Sequence, residues 1–162
     1  MSETMQPILQ GEFDAKGLKI GVVTARFNSE VTEKLEQGAL QALKEMGCAD
    51  IRAVRVPGAV EIPLAASALL NSGCDAVVAL GAVIRGETDH YDYVCTSVER
   101  GCTELQLQTG KPVAFGVLTT ENEEQALDRA GGRHGNKGTE AAQVAVEMVH
   151  LTRKIREKYG AQ

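Results

Sequence analysis

VVALGAVIRGETDHYDYV, residues 77–94, holds an unbroken apolar run from Val77 to Ile84 that stops at Arg85-Gly86-Glu87-Thr88-Asp89-His90, after which an amphipathic pattern begins at Tyr91. A short apolar run with β-branched residues, closed by a glycine turn, reads as a strand buried on both faces, which is the signature of a parallel sheet. Ligands of open parallel sheets collect at the carboxyl ends of strands, and anions at the helix N-termini that follow. The turn from Gly86 to His90 is therefore the first place to look for chemistry.

The same strand–turn–helix unit repeats on either side. Leu18 to Thr24 is an apolar strand that delivers the chain into Ala25-Arg26-Phe27-Asn28, and a helix follows from Ser29 with Val31, Leu35, Ala39, Ala42, Leu43 and Met46 on one face and Gly47 as its stop. Ile51 to Val56 is a second strand, ended by Pro57-Gly58; Ala59-Val60-Glu61-Ile62-Pro63 then leads into a helix closed by Gly73. After the third strand a long helix is predicted over Asp89–Thr109, and Pro112–Thr119 is the fourth strand. Thr120-Glu121-Asn122-Glu123 fits a capping box for a short helix ending near Ala130, glycines crowd residues 131–138, and a last helix carries a stripe of Ala141, Val144, Ala145, Met148, Leu151 and Ile155. Alternation of this kind predicts an α/β three-layer sandwich with a four-stranded parallel sheet and right-handed crossovers, one domain over residues 1–162. Residues 1–17 have no helical period and read as an arm, with Ile8 and Leu9 able to add an edge strand to a neighbouring subunit. A sheet this narrow leaves two open edges, so a homo-oligomer is expected.

Composition narrows the function. Hydrophobic residues at 43% and charged residues at 24% suit a globular protein, and a net charge of -5 with no basic stripe speaks against nucleic-acid and anionic-membrane partners. No apolar run approaches the roughly 18 residues of a spanning helix, and the start MSETMQPILQGEFDAKG is not a signal peptide, so the expected location is the cytoplasm. Cys48, Cys74, Cys95 and Cys102 are scattered without a CxxC pair, which predicts neither a metal site nor a disulfide framework.

Taken together, the strand ends offer Phe27, then Ala59-Val60-Glu61, then Val83 to His90, then the region of Thr119. They supply an aromatic plate, a carboxylate, a hydroxyl at a helix start and an imidazole, enough to hold a planar polar molecule and a phosphate and to move a proton. Each has an ordinary structural role as well: Phe27 as a core cap, Glu61 as a favourable charge near a helix N-terminus, Thr88 as an N-cap, His90 as an exposed first-turn residue. Between Arg85 and Asp92 one positive side chain faces three negatives, Glu87, Asp89 and Asp92, so side chains here repel phosphate. A cation must come from elsewhere, and Arg129, Arg133 and Lys137 are the donors available. No GxGxxG and no GxSxG occurs, and Gly132 to Thr139 has Lys137 where a P-loop needs its second glycine.

The motifs ARFN at 25–28, VPGAVEIP at 56–63, GAVIRGETDHYDYV at 81–94, PVAFGVLTT at 112–120 and RAGGRHGNKG at 129–138 resemble, in order and over nearly the whole chain, the lumazine synthase family of riboflavin biosynthesis. The resemblance implies a flavodoxin-like fold and a transferase that condenses 5-amino-6-ribitylaminouracil with 3,4-dihydroxy-2-butanone 4-phosphate to 6,7-dimethyl-8-ribityllumazine, with no cofactor and no metal. It implies that Phe27 stacks on the pyrimidine, that Ala59, Val60 and Glu61 contact the same substrate, and that Val83 and Ile84 line the pocket. Glu87 and Thr88 would form the phosphate turn, His90 would transfer protons, and Arg129 and Phe115 would arrive from a neighbouring subunit, with Lys137 near the substrate. At Glu87 many relatives carry a small residue, so its side chain is expected to point away from the site.

The resemblance further implies pentamers, pairs of pentamers or icosahedral shells of sixty chains, and the short 131–138 turn favours the shell; riboflavin synthase is a candidate partner. Competing readings are an archaeal-type riboflavin synthase and a catalytically silent shell or flavin-binding relative. A phosphoacceptor domain is disfavoured because Ala25-Arg26-Phe27 supplies no acidic cluster at the first strand's end.

Overall fold

In the computed structural model, which describes residues 6–160, strands and helices alternate as the apolar runs predict. β1 (Lys19–Ala25), β2 (Asp50–Val56), β3 (Ala76–Ile84) and β4 (Val113–Thr120) form one parallel sheet in the order β2-β1-β3-β4. Helices α1 (Ser29–Glu45) and α5 (Lys137–Tyr159) cover one face together with the short α4 (Glu123–Asp128), while α2 (Ile62–Asn71) and α3 (His90–Thr109) cover the other. This is the α/β, flavodoxin-like layering expected.

β1 and β3 occupy the middle of the sheet, and β3 is the longer of the two. Every residue from Ala76 to Val83 is buried, and the strand pairs with β1 along Ile20↔Ala76 to Thr24↔Leu80 and with β4 along Val77↔Val113 to Ile84↔Thr120. Val78, Leu80 and Ala82 turn towards α1 and α5, whereas Val77, Ala79 and Val83 turn towards α2 and α3. Both faces are apolar, so the two-residue period of the strand leaves no polar alternation in the sequence.

The two helices over the first face approach closely. Gly138, buried near the start of α5, sits so near the Leu35 carbonyl of α1 that a Cβ would overlap it, and Ala39 and Ala42 of α1 are buried in the same cluster as Ala142 and Ala145 of α5. Asn136 fixes the start of α5: its side-chain oxygen accepts from Gly138 N at 2.8 Å and Thr139 N at 3.1 Å, and its amide donates to the Lys34 carbonyl at 3.1 Å.

One expectation needs correction. The glycine-rich segment is not a plain turn: β5 (Ala130–Gly132) and β6 (Gly135–Asn136) pair antiparallel as a small ribbon, with Gly131 at φ 107° and Gly135 at φ 77°. It is too short and too polar to carry an alternating signal. Over residues 6–15 the arm runs along α5 of its own chain. Lys154 donates to the Gln10 carbonyl at 2.9 Å and pairs with Glu12 at 2.8 Å, the His150 ring bonds the Asp14 carbonyl, and Ala15 N donates to Met46 O at 2.8 Å. His150 of α5 thus anchors the arm.

Replacing Gly138 with Ala forces α1 and α5 apart and should destabilise the fold by about 1–3 kcal/mol. Chemical denaturation at one fixed chain concentration reads this out; an unchanged midpoint would contradict the close approach at Leu35.

Candidate active site

The strand order reverses direction between β1 and β3. From β1 the chain leaves through α1 towards the β2 edge, and from β3 through α3 towards the β4 edge, on opposite faces of the sheet. Such a switch point opens a crevice at the carboxyl ends of the two strands. A cleft of about 590 Å³ lies there, within the range of small-molecule sites. Phe27 and Asn28 close it from β1, residues 57–61 from β2, residues 82–84 from β3, and Gly86, Thr88, His90, Tyr91 and Val94 from the following turn and α3. Phe27, Ala59, Val60, Glu61, Val83, Ile84, Thr88 and His90, all named from the sequence, thus meet in one place. Glu87 is exposed and does not line the cleft.

Local geometry holds each of these side chains. Asn28 is the one described non-glycine residue with positive φ, 65°, a left-handed conformation that asparagine tolerates better than most residues. Its side-chain amide donates to the Ala82 carbonyl at 2.8 Å, tying the β1 exit to β3. Phe27 N donates to the Pro57 carbonyl at 3.1 Å, and the ring is left 72% exposed at the rim, so it is not a core cap. Asn28, Pro57, Gly58 and Tyr91 were not singled out from sequence as lining residues; an asparagine directly before a helix start was the available signal for the first.

Ala59–Glu61 form a 3-10 turn, and Glu61 accepts from Gly58 N at 2.9 Å, so its carboxylate braces the turn that follows β2. Thr88 is not the N-cap of α3, which is Asp89; it stands one residue earlier, and its hydroxyl oxygen accepts from His90 N at 3.3 Å. His90 is the first residue of α3 and is exposed towards the cleft. Tyr91 is half-buried behind it, and burial raises its phenol pKa above the ordinary value. No Lys or Arg lines the cleft, since Arg85 is engaged with Glu121 at 3.0 Å.

The cations lie elsewhere. A second cleft of about 430 Å³, at the end of β4 on the α4 and α5 side, is lined by Thr119, Thr120, Arg129, His134, Lys137 and Glu140 among others. Arg129 is half-buried and donates to the Gln125 carbonyl at 2.9 Å. His134, without a nameable partner in the sequence, donates its backbone N–H to the Asp128 carbonyl at 2.8 Å and borders this cleft. Phe115 stands in mid-β4, half-buried against the α2 and α3 side of the core, and lines neither cleft. The strand ends therefore share a rim but line separate clefts, an apolar one with an aromatic ring and an imidazole, a polar one with Arg129 and Lys137, and a third of about 260 Å³ at the end of β1 bordered by Arg26 and Arg55.

Residues 17–153 match the 6,7-dimethyl-8-ribityllumazine synthase family. The chain belongs to the lumazine synthase family. Over 138 residues it is 64% identical to the 6,7-dimethyl-8-ribityllumazine synthase of Bdellovibrio bacteriovorus, an alignment covering 85% of this chain and 77% of that one. Within a lumazine synthase fold, the apolar cleft of this chain falls on the ARFN, VPGAVEIP and GAVIRGETDHYDYV motifs and the polar cleft on PVAFGVLTT and RAGGRHGNKG. No helix of the described residues is long and apolar enough to cross a membrane.

Asn28→Ala forfeits the bond to Ala82 and puts a Cβ-bearing residue without a local hydrogen bond in the left-handed region, which should cost about 1–2 kcal/mol. Phe27→Ala, at an exposed ring, should stay within about 0.5 kcal/mol of the parent. Parallel unfolding curves check the pair, and equal losses would mean that Phe27 is packed after all.

Proposed function

We propose that this chain forms 6,7-dimethyl-8-ribityllumazine from 5-amino-6-ribitylaminouracil and 3,4-dihydroxy-2-butanone 4-phosphate, as the penultimate step of riboflavin biosynthesis. The observation that carries this reading is the gathering of Phe27, Glu61, Thr88 and His90 around one cleft in a chain of the lumazine synthase family. Phe27 stacks on the flat pyrimidine, with Ala59, Val60, Glu61, Val83 and Ile84 around it. The turn at Glu87 and Thr88 offers backbone and hydroxyl donors to the phosphate.

The exocyclic amine of the pyrimidine attacks the ketone, and loss of water gives an imine. Phosphate then leaves, and ring closure expels a second water. Each step moves a proton, and a positioned imidazole at His90 contributes about 10²- to 10⁴-fold. Holding the two substrates in register contributes on the order of 7–11 kcal/mol. No step calls for a cofactor or a metal.

The cleft lacks a cation for the phosphate, and the chain's own Arg129 and Lys137 border a different cleft. A second copy presenting Arg129, Phe115 and Lys137 to this cleft meets the deficiency, and a head-to-tail contact of that kind closes into a ring. We therefore read the protein as a cytoplasmic homo-oligomer of pentamers, assembled into a sixty-chain shell in preference to a pentamer or decamer, with the arm adding a strand to a neighbour and riboflavin synthase as a candidate partner.

Mixing the two substrates with the purified protein and following lumazine absorbance tests the activity; absence of product favours the silent-shell alternative. His90→Ala should turn over slowly but measurably, while Arg129→Ala should raise the KM for the butanone phosphate sharply. Co-expressing the two defective chains should restore roughly a quarter of the sites by random head-to-tail pairing, and no recovery would place Arg129 in the cleft of its own chain. Analytical ultracentrifugation decides the shell: a mass of five or ten chains refutes it.

A further inference from the structure

We infer that Arg85, which does not line the cleft, is a positioning residue of the phosphate turn: it anchors the turn and withholds two carboxylates from the bound anion. This rests on the reading that the turn after β3 takes the substrate phosphate.

The turn has little other support. Nothing approaches within 4 Å of where a Cβ of Gly86 would sit, and Gly86, Glu87, Thr88, Asp89 and His90 are all exposed. Immediately before it, residue 85 is fixed at both its backbone and its side chain. Arg85 N donates to the Thr120 carbonyl at 2.8 Å, which continues the β3–β4 ladder by one bond. The guanidinium donates through Nε to Glu121 at 3.0 Å, reaches to within 3.7 Å of the Asp92 carboxylate, and lies 4.3 Å from the centre of the Tyr91 ring. Tyr91 is itself a wall of the cleft. One planar group thus joins the loop after β4, the first turn of α3 and the cleft wall.

The charges give this arrangement its purpose. Glu87, Asp89, Asp92 and Glu121 surround the turn, and a phosphate arriving there would meet all four carboxylates unopposed if Arg85 were neutral. Arg85 engages Asp92 and Glu121, and the bond to Glu121 strengthens its hold on its proton. The flat, forked guanidinium does this while stacking on an aromatic ring; a lysine keeps the charge but cannot satisfy two carboxylates and a ring face together.

The test compares the parent protein with Arg85→Met, Arg85→Lys and the double variant Arg85→Met with Glu121→Gln, measuring both KM values and inhibition by inorganic phosphate. Arg85→Met should raise the KM for the butanone phosphate and the inhibition constant for phosphate about tenfold, while the pyrimidine KM stays within about twofold. Arg85→Lys should fall between Met and the parent, and the double variant should recover part of the loss because one unscreened carboxylate is gone. Unchanged phosphate constants, a joint rise in both KM values, or a double variant no better than the single one would each overturn the inference. Should Arg85→Met not fold, Arg85→Lys decides alone, since its phosphate constant must rise. Absence of lumazine formation by the parent protein would instead sink the functional reading, which keeps the two failures apart.

Discussion

β3 is hydrogen-bonded along both edges and packed on both faces, and that double confinement sets the position of everything chemical in the molecule. A strand held this way has no freedom to slide, so its carboxyl end is a fixed reference point. Asn28 reads that point directly by bonding Ala82, and Arg85 reads it through the bond to Thr120. The Phe27 plate and the Thr88–His90 turn are therefore placed relative to each other by the sheet rather than by flexible loops, as rate enhancement by proximity demands.

A single chain places apolar and cationic resources on different sides of the sheet edge. The larger cleft has the shape and the aromatic surface for a planar molecule but no cation, and the smaller one holds Arg129 and Lys137 but no aromatic plate. Neither cleft combines an aromatic ring with a lysine or arginine. The charge count from Arg85 to Asp92 already pointed to a distant cation, and in one chain Arg129 and Lys137 border the other cleft.

Much of this was legible in the residues. β1, β3 and β4 announce themselves as apolar runs and the half-exposed β2 by its Pro57-Gly58 stop, so the four strands and their helices were located to within one or two residues, and Phe27, Glu61, Thr88 and His90 were picked out by the rule that ligands gather at strand ends. What escaped reading depended on tertiary contacts that leave no local pattern. The ribbon of Ala130–Gly132 and Gly135–Asn136 has too few side chains to alternate, and the arm's path along α5 depends on Gly11 passing beneath Glu147, which spacing does not encode. The division of the rim into separate clefts was missed because strand order, not strand identity, decides which ends adjoin.

The packing of α5 across α1 also shapes how the polypeptide comes into being. Ile20, Val22, Leu35 and Leu43 belong to a core whose cover, Ala141, Ala142, Ala145 and Val146, lies about a hundred residues further along the chain. A polypeptide synthesised only as far as β4 can seal its α2 and α3 face, yet its other face, covered by α1 alone, stays partly open to water and to chaperones. Contacts so distant in sequence form late and slowly. The layer opposite α2 and α3 thus matures only once α5 has been made, and until then the nascent protein is half-finished on one side of its sheet.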